Sequence, residues 1–426
     1  MTSSREFLEN LFRSAVAAAH PAVCLPAHLP APPRSGRLLM LAAGKAAGSM
    51  VAVAERHYLE RGFPADRLHG LGVTRPGYAQ PTRVIPMMEA AHPVPDAAGF
   101  AAAERTLDIA GAAGEDDLVL VLISGGASAN WIAPAADLTL ADKQSVTRAL
   151  LRSGAAIGEI NAVRKHLSRI KGGRLAAHAF PAKVLALAIS DVPGEDPAVI
   201  GSGPTVPDPS TLADARRVVE KYRLALPVAV QAALNNALNE TPKPGDPRLE
   251  QAEFRLVARP VDAFRAAEQT LRAAGYECVF LGSEIEGEAR HVAAEHARLA
   301  LELRAQGRRA VLLSGGELTV TIRGKGRGGP NQEYALALAV ALAGASGIAA
   351  LAADTDGTDG GGGRPDDPAG AFANADTVLR ARQIGLDPAA FLADNASTAF
   401  FAALGDLLTT GPTYTNVNDF RAILVD

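Results

Sequence analysis

The chain has 426 residues, 48% of them hydrophobic and 21% charged, with a formal net charge of -4. That length exceeds one typical core, so two domains are expected, and the negative balance argues against a general affinity for nucleic acid or an anionic membrane. Two cysteines, Cys24 and Cys278, lie in separate halves without CxxC spacing or a disulfide framework, which fits a reducing cytoplasm. No apolar run reaches the roughly eighteen residues of a membrane span, and Ala15–Ala19 is too short and weakly hydrophobic for a signal peptide.

In chain order, Ser3-x-x-Glu6 reads as a capping box, followed by Phe7, Leu8, Leu11 and Phe12 at helical spacing. Strands are then expected over 37–43, 69–75, 118–123 and 183–190, and helices over 45–61, 97–113 and 140–152. Residues 161–178 read as two helices broken at Gly172-Gly173. Such alternation builds βαβ units on a parallel sheet. Helices follow over 212–238, and 239–250, with Pro242, Pro244 and Pro247, reads as a linker. A second series has strands over 253–258, 277–281, 310–313 and 348–353, and helices over 261–274, 288–305 and 334–343. Residues 318–322 alternate as a half-exposed hairpin partner would. The expectation is two α/β domains, 1–238 and 251–426, joined at 239–250, with an active-site cleft between.

Two strands end in Ser-Gly-Gly, at Ser124-Gly125-Gly126 and at Ser314-Gly315-Gly316. Ligands of parallel sheets sit beyond the carboxyl ends of the strands, and glycine there lets bare N–H groups approach an anion, although an ordinary turn reads the same way. The first strand delivers Gly44-Lys45 into a helix start, a phosphate or carboxylate site in miniature. Leu39 excludes a Walker A loop there and Ala42 excludes a G-x-G-x-x-G fingerprint. The first Ser-Gly-Gly turn is assigned to the reacting anions, because its half also holds Lys45, a basic stretch and Asp191. Glu317 disfavours a bare phosphate at the second, which reads as a support.

The stretch 161–174 carries Arg164, Lys165, Arg169, Lys171 and Arg174 and no acid. It is either a solvated basic face or an electrostatic wall for a polyanion such as ATP, with Arg164, Ser168 and Lys171 on one helical face. Asp191, past a strand end, is placed to hold Mg2+, to accept a hydroxyl proton or to cap the next turn. The loop 324–333 holds Lys325 and Arg327 among four glycines, more than a purely structural loop would need. Its arginine suits the charge on a transferring phosphoryl group. Asp354, Asp356 and Asp359 form an acidic loop whose spacing fails the EF-hand pattern at Asp359 and Pro365. Mg2+ near a nucleotide is the better match, with a flexible acidic loop as the alternative.

Taken in order, these motifs resemble the glycerate 2-kinase family over nearly the whole chain, and the second-half set is similar to its MOFRL domain. The carriers are Gly44-Lys45-Ala46, the run from Leu122 to Ser128, residues 161–175, Ser190–Gly194, Ser202–Thr205, Ser314–Glu317, Gly328–Glu333, Asp354–Gly360 and Thr415–Asp419. The resemblance implies a Rossmann-like domain, a MOFRL-type α/β domain, and ATP- and Mg2+-dependent phosphorylation of D-glycerate at its 2-hydroxyl. It implies Lys45, Asp191 and Arg327 as catalytic residues. Gly44, Ser124, Gly125, Gly126, Ser128, Arg164, Lys165, Asn331, Glu333, Asn416 and Asn418 are expected to bind substrate or nucleotide, and Asp354, Asp356 and Asp359 the metal. The partners implied are D-glycerate and ATP, with no nucleic acid and no membrane; a homodimer is allowed rather than required. Ala42 and Tyr414 depart from the family pattern, which usually has glycine at both positions. The rival readings are an NAD(P)H-dependent hydroxypyruvate reductase, for which the dinucleotide fingerprint is missing, and a non-catalytic hydroxy-acid sensor.

Overall fold

The computed structural model describes residues 3–426. It divides into two compact units: Cys24–Val257, and Ala258–Asp426 together with the N-terminal residues up to Val23.

In the first unit, β1 (Leu38–Ala43), β2 (Leu68–Thr74), β3 (Met87–Glu89), β4 (Leu118–Ile123), β5 (Lys183–Ile189) and β6 (Ala252–Ala258) form one sheet in the order β3-β2-β1-β4-β5-β6. The first five pair in parallel. β1 is buried along its whole length and β4 from its second residue, as strands covered by helices on both faces must be. Ala42 is therefore a strand residue, paired with Gly72 and Leu122, and not part of the loop at the end of β1. The stretch β6, expected to open the second domain, instead extends the first sheet. Its neighbour 239–250 is no free linker. Asn239 and Thr241 are buried, Thr241 Oγ1 donates to Asp208 Oδ2 at 3.0 Å, and the Asp208 N–H donates to the Pro242 carbonyl at 2.9 Å. The prolines stiffen a packed strap, and the boundary falls after β6 has paired.

The second unit holds β7 (Glu277–Gly282), β8 (Gly287–Glu288), β9 (Ala310–Ser314), β10 (Leu318–Thr319), β11 (Ile348–Asp354), β12 (Gly370–Asn374), β13 (Leu407–Leu408) and β14 (Asp419–Val425). The main sheet runs β13-β12-β11-β14-β9-β7 and is mixed: β7 and β9 are parallel, and β14 is antiparallel to both β9 and β11. The expected hairpin at 318–322 is absent; β10 makes a two-residue parallel pair with β8. The helix Ser4–Ala19 has the expected capping box, but it belongs to this unit rather than to the first domain. Phe12 meets the edge of Phe420 at 5.9 Å, Phe7 lies 5.0 Å from the Tyr276 ring, and Arg5 pairs with Asp406. An amphipathic helix goes where its aromatic face finds a core, whatever its place in the chain.

Candidate active site

The strand order reverses between β1 and β4, and their carboxyl ends meet there. This is the switch point where open α/β sheets bind ligands. The Lys45 N–H donates to the Gly125 carbonyl at 2.8 Å, the Ser124 N–H to the Ala43 carbonyl at 3.1 Å, and the Ala46 N–H to Ser124 Oγ at 2.9 Å. Gly44 has φ +121, and a Cβ on it would lie 2.4 Å from the Ser124 carbonyl oxygen, so only glycine allows this approach. The two expected motifs are thus one structure. The buried Ser124 hydroxyl holds the Lys45 turn, while Lys45 itself is half-buried, its Cγ beside the Gly126 turn. Asp191 follows β5 at the same edge of the sheet.

Beside Gly126 opens a cavity of about 430 Å3. Its wall contains Ser128, Arg164, Lys143 and Lys171, with His92 and Ile132 among the other lining groups. The helix Ile157–His166 carries Arg164 but stops before Ser168 and Lys171, so the expected single helical face does not form. Gly172 and Gly173, both at positive φ, turn the chain instead and bring Lys171 in from a loop. Lys143 Nζ donates to the Arg164 carbonyl at 3.2 Å and Lys171 Nζ to the Ser128 carbonyl at 2.8 Å. Both lysines are at most 3% exposed, and among the described residues neither is paired with a carboxylate. Desolvation, and then Arg164, push the Lys143 ammonium down to about 7; burial, Lys143 and Arg164 push Lys171 well below its ordinary value. Lys143 escapes notice in the sequence, yet it carries a signal: it shares the spacing of Val146 and Leu150, the buried stripe of its helix.

Lys165 does not join them. Its Nζ makes a buried ion pair with Asp208 at 3.3 Å, a structural role. Ser128 is held by its hydroxyl, 2.8 Å from the Ser202 hydroxyl.

In the second unit several other expected residues gather around the loop after β11. Asp356 donates its N–H to Asp354 Oδ1 at 2.8 Å, and Thr355 Oγ1 accepts from the Val417 N–H at 2.9 Å and donates to the Asn418 carbonyl. The carboxylate of Asp359 is consumed by the start of the helix Pro330–Leu342: Oδ1 accepts from the Asn331 N–H at 3.0 Å and Oδ2 from the Gln332 N–H at 2.8 Å. Desolvation raises this carboxyl to about 7, and the helix-start donors oppose the rise. The expected trio of metal carboxylates is therefore reduced to Asp354 and Asp356, and among the described residues no three His, Cys, Asp or Glu side chains gather as a metal-binding group. Glu333 is likewise structural, bound to Arg290 Nε at 2.6 Å and to Asn395 Nδ2 at 3.1 Å. Asn331 Nδ2 bridges Asp359 and Asp419 at 3.2 and 2.6 Å. Asn416 and Asn418 are buried in the turn before β14, with Asn418 at φ +68. Tyr414 sits at φ +60, the backbone region that favours the glycine expected there.

Arg327 is exposed and reaches Asp367 at 3.3 Å. The glycines of its loop have a packing reason after all. A Cβ on Gly326 would lie 2.5 Å from Ala396, and one on Gly328 2.1 Å from Ser397 Oγ. The second Ser-Gly-Gly turn is also a support: a Cβ on Gly315 would strike the Phe264 ring at 2.5 Å, and Arg421 Nη2 donates to the Gly315 carbonyl.

Residues 7–235 match the family described as "Domain of unknown function (DUF4147)", and residues 310–419 match the MOFRL family. A crystal structure of glycerate kinase from Thermotoga maritima superimposes with a TM-score of 0.85 at 36% identity, covering 99% of each chain. The chain belongs to the MOFRL-domain glycerate kinase family. D-Glycerate 2-kinase of Thermotoga maritima is 39% identical over 388 residues, 90% of this chain and 89% of its own. A relative from Agrobacterium vitis, 48% identical over 429 residues, 99% of this chain and 95% of its own, carries a provisional hydroxypyruvate reductase name. The family therefore holds two activity names, which the residues of each chain have to decide between. No helix among the described residues is long and apolar enough to cross a membrane.

Proposed function

We propose that the protein is a cytoplasmic glycerate 2-kinase that uses ATP and Mg2+ to phosphorylate the 2-hydroxyl of D-glycerate, giving 2-phosphoglycerate and ADP. The observation that carries this reading is the junction of Gly44-Lys45 with the Ser124 turn at the switch point, beside a cavity whose ionic groups are cations. Phosphoryl transfer is catalysed mainly by positioning and charge stabilisation, so a rigidly seated lysine at an anion site is the main requirement. In this reading Lys45 neutralises charge developing on the transferred group, and Arg327 shares that task. Asp191 accepts the proton of the 2-hydroxyl or orients it.

For Mg2+ the residues present fit: it takes one or two carboxylates plus substrate oxygens, and Asp354 and Asp356 stand two residues apart at the end of β11, each with one oxygen already accepting a main-chain N–H. Bound there, it would supply charge neutralisation to the nucleotide phosphates. Asp359 is excluded from that set by its helix-capping bonds.

The reductase reading has relatives' names in its favour. Against it, the turn after β1 lacks the G-x-G-x-x-G fingerprint of a dinucleotide site, with Ala42 where its first glycine would stand. An assay with ATP and Mg2+, with and without D-glycerate, tests the proposal. Glycerate-dependent ADP release is expected; NAD(P)H consumption with hydroxypyruvate, and no ADP, would overturn it.

A further inference from the structure

The cavity beside Gly126 gathers basic groups that find no counter-charge in its own wall. Lys143 and Lys171 are buried, each hydrogen-bonded to a single carbonyl, and Arg164 lines the same space. A buried lysine without a counter-charge is driven toward its neutral form, and an anionic ligand would restore the ammonium. Among the described residues no carboxylate lines this wall.

Size and charge then identify the ligand class. A volume of about 430 Å3 falls in the range of sites for drug-sized molecules, roughly 300–1,000 Å3, and is far more than a three-carbon acid fills. The basic side chains of Lys143, Arg148, Arg164 and Lys171 on this wall exceed what one carboxylate can balance and suit a polyphosphate. The wall also carries Pro93, Val94, Ile132 and the exposed Leu151, apolar surface suited to a nucleoside, beside the polar Gln144 and Thr147. Gly126 lines the cavity and the Lys45 side chain passes beside it, so a phosphate bound against Gly126 would lie near the proposed reacting lysine.

We propose that this cavity is the nucleotide site and that Lys143, Lys171 and Arg164 bind the polyphosphate, leaving D-glycerate to bind elsewhere. The inference rests on the reading of the protein as an ATP-dependent kinase, and it gives Lys143, which no sequence motif marks, a role beside Lys171.

The test is equilibrium binding to the whole protein, with ATP, inorganic tripolyphosphate, AMP and D-glycerate as separate titrants and EDTA present. ATP and tripolyphosphate are expected to bind more tightly than AMP. Lys143→Met and Lys171→Met should each weaken ATP and tripolyphosphate by about tenfold to a hundredfold, the value of one charge-assisted hydrogen bond, with D-glycerate affinity within about threefold of the parent. Leu151→Glu guards against a folding artefact, because Leu151 is 62% exposed and a new carboxylate at the mouth repels phosphate. Unchanged ATP affinity in Leu151→Glu and in the folded lysine variants overturns the inference, as does a loss confined to D-glycerate. A protein that binds ATP through these lysines but does not phosphorylate glycerate leaves the site standing and removes the kinase reading instead.

Discussion

The Lys45 N–H rests on the Gly125 carbonyl at 2.8 Å, so the proposed catalytic lysine is tied by its main chain to the turn of the neighbouring strand. The adjoining Ala46 N–H rests on Ser124 Oγ. The position of Lys45 thus depends on a residue 79 positions away in the chain, across the strand pair that forms the switch point.

Replacing Ser124 tests that dependence. Ser124→Ala leaves the Ala46 N–H buried without its acceptor, which should cost about 1–3 kcal/mol of stability. It should also lower kcat while the nucleotide KM changes little. Denaturant unfolding and steady-state kinetics on the same preparation check both, and unchanged kcat would separate Lys45 from this turn.

Lys45→Met removes the ammonium but keeps the backbone bond. The expected loss is about a hundredfold to a thousandfold in kcat, as for removal of other charge-stabilising donors. Arg327→Ala should lower kcat with little change in stability, because the Arg327 side chain is exposed and the buried Asp367 keeps the Gly362 and Arg364 N–H groups as partners. Stability loss without kinetic loss in either variant would mark it as structural.

Lys165 and Lys171 stand six residues apart in one basic run and read alike in sequence. Their roles diverge because Asp208, which pairs with Lys165, lies far along the chain. Lys165→Met should destabilise by about 3–5 kcal/mol, the cost of stranding a buried partner charge, and leave the KM values of the folded fraction unchanged. A raised nucleotide KM with normal stability would return Lys165 to the binding site.

Nucleotide affinity should depend on pH through Lys143. It shares its cavity with Arg148 of its own helix, Arg164 of the next, Lys171 of the following loop and His92. With its ammonium pushed down to about 7, Lys143 is mostly neutral in the free protein above that pH. A bound polyphosphate raises the value again, so binding takes up protons. Affinity should be full below about pH 7 and fall as pH rises toward the ordinary lysine range near 10. ATP titrations between pH 6.5 and 9 measure the slope, and Lys143→Arg, which stays charged, should flatten it. Affinity that rises with pH would contradict the assignment.

Much of this architecture was legible before any coordinates. The unbroken apolar runs of β1 and β4 and their glycine ends marked a parallel sheet and its ligand edge, and the Ser3–Glu6 capping box marked a helix. What escaped depended on distant partners. Asp359 looked like a metal ligand until the helix Pro330–Leu342 docked its first amides on it. The glycines around Arg327 looked functional until the 394–397 segment filled the space a Cβ would take. The N-terminal helix showed its apolar face but not that Phe420 would receive it. The edge strand β6 carried a strand pattern with no sign of which sheet it would join. Local pattern reports the element; the partner is chosen by packing.

The most direct test of the whole account is the product formed by the wild-type protein from ATP, Mg2+ and D-glycerate, followed by phosphorus NMR. The account predicts ADP and 2-phosphoglycerate in equal amounts, with ADP formation abolished when D-glycerate is withheld. Formation of 3-phosphoglycerate, or no phosphorylated acid beside NAD(P)H-dependent reduction of hydroxypyruvate, would contradict it.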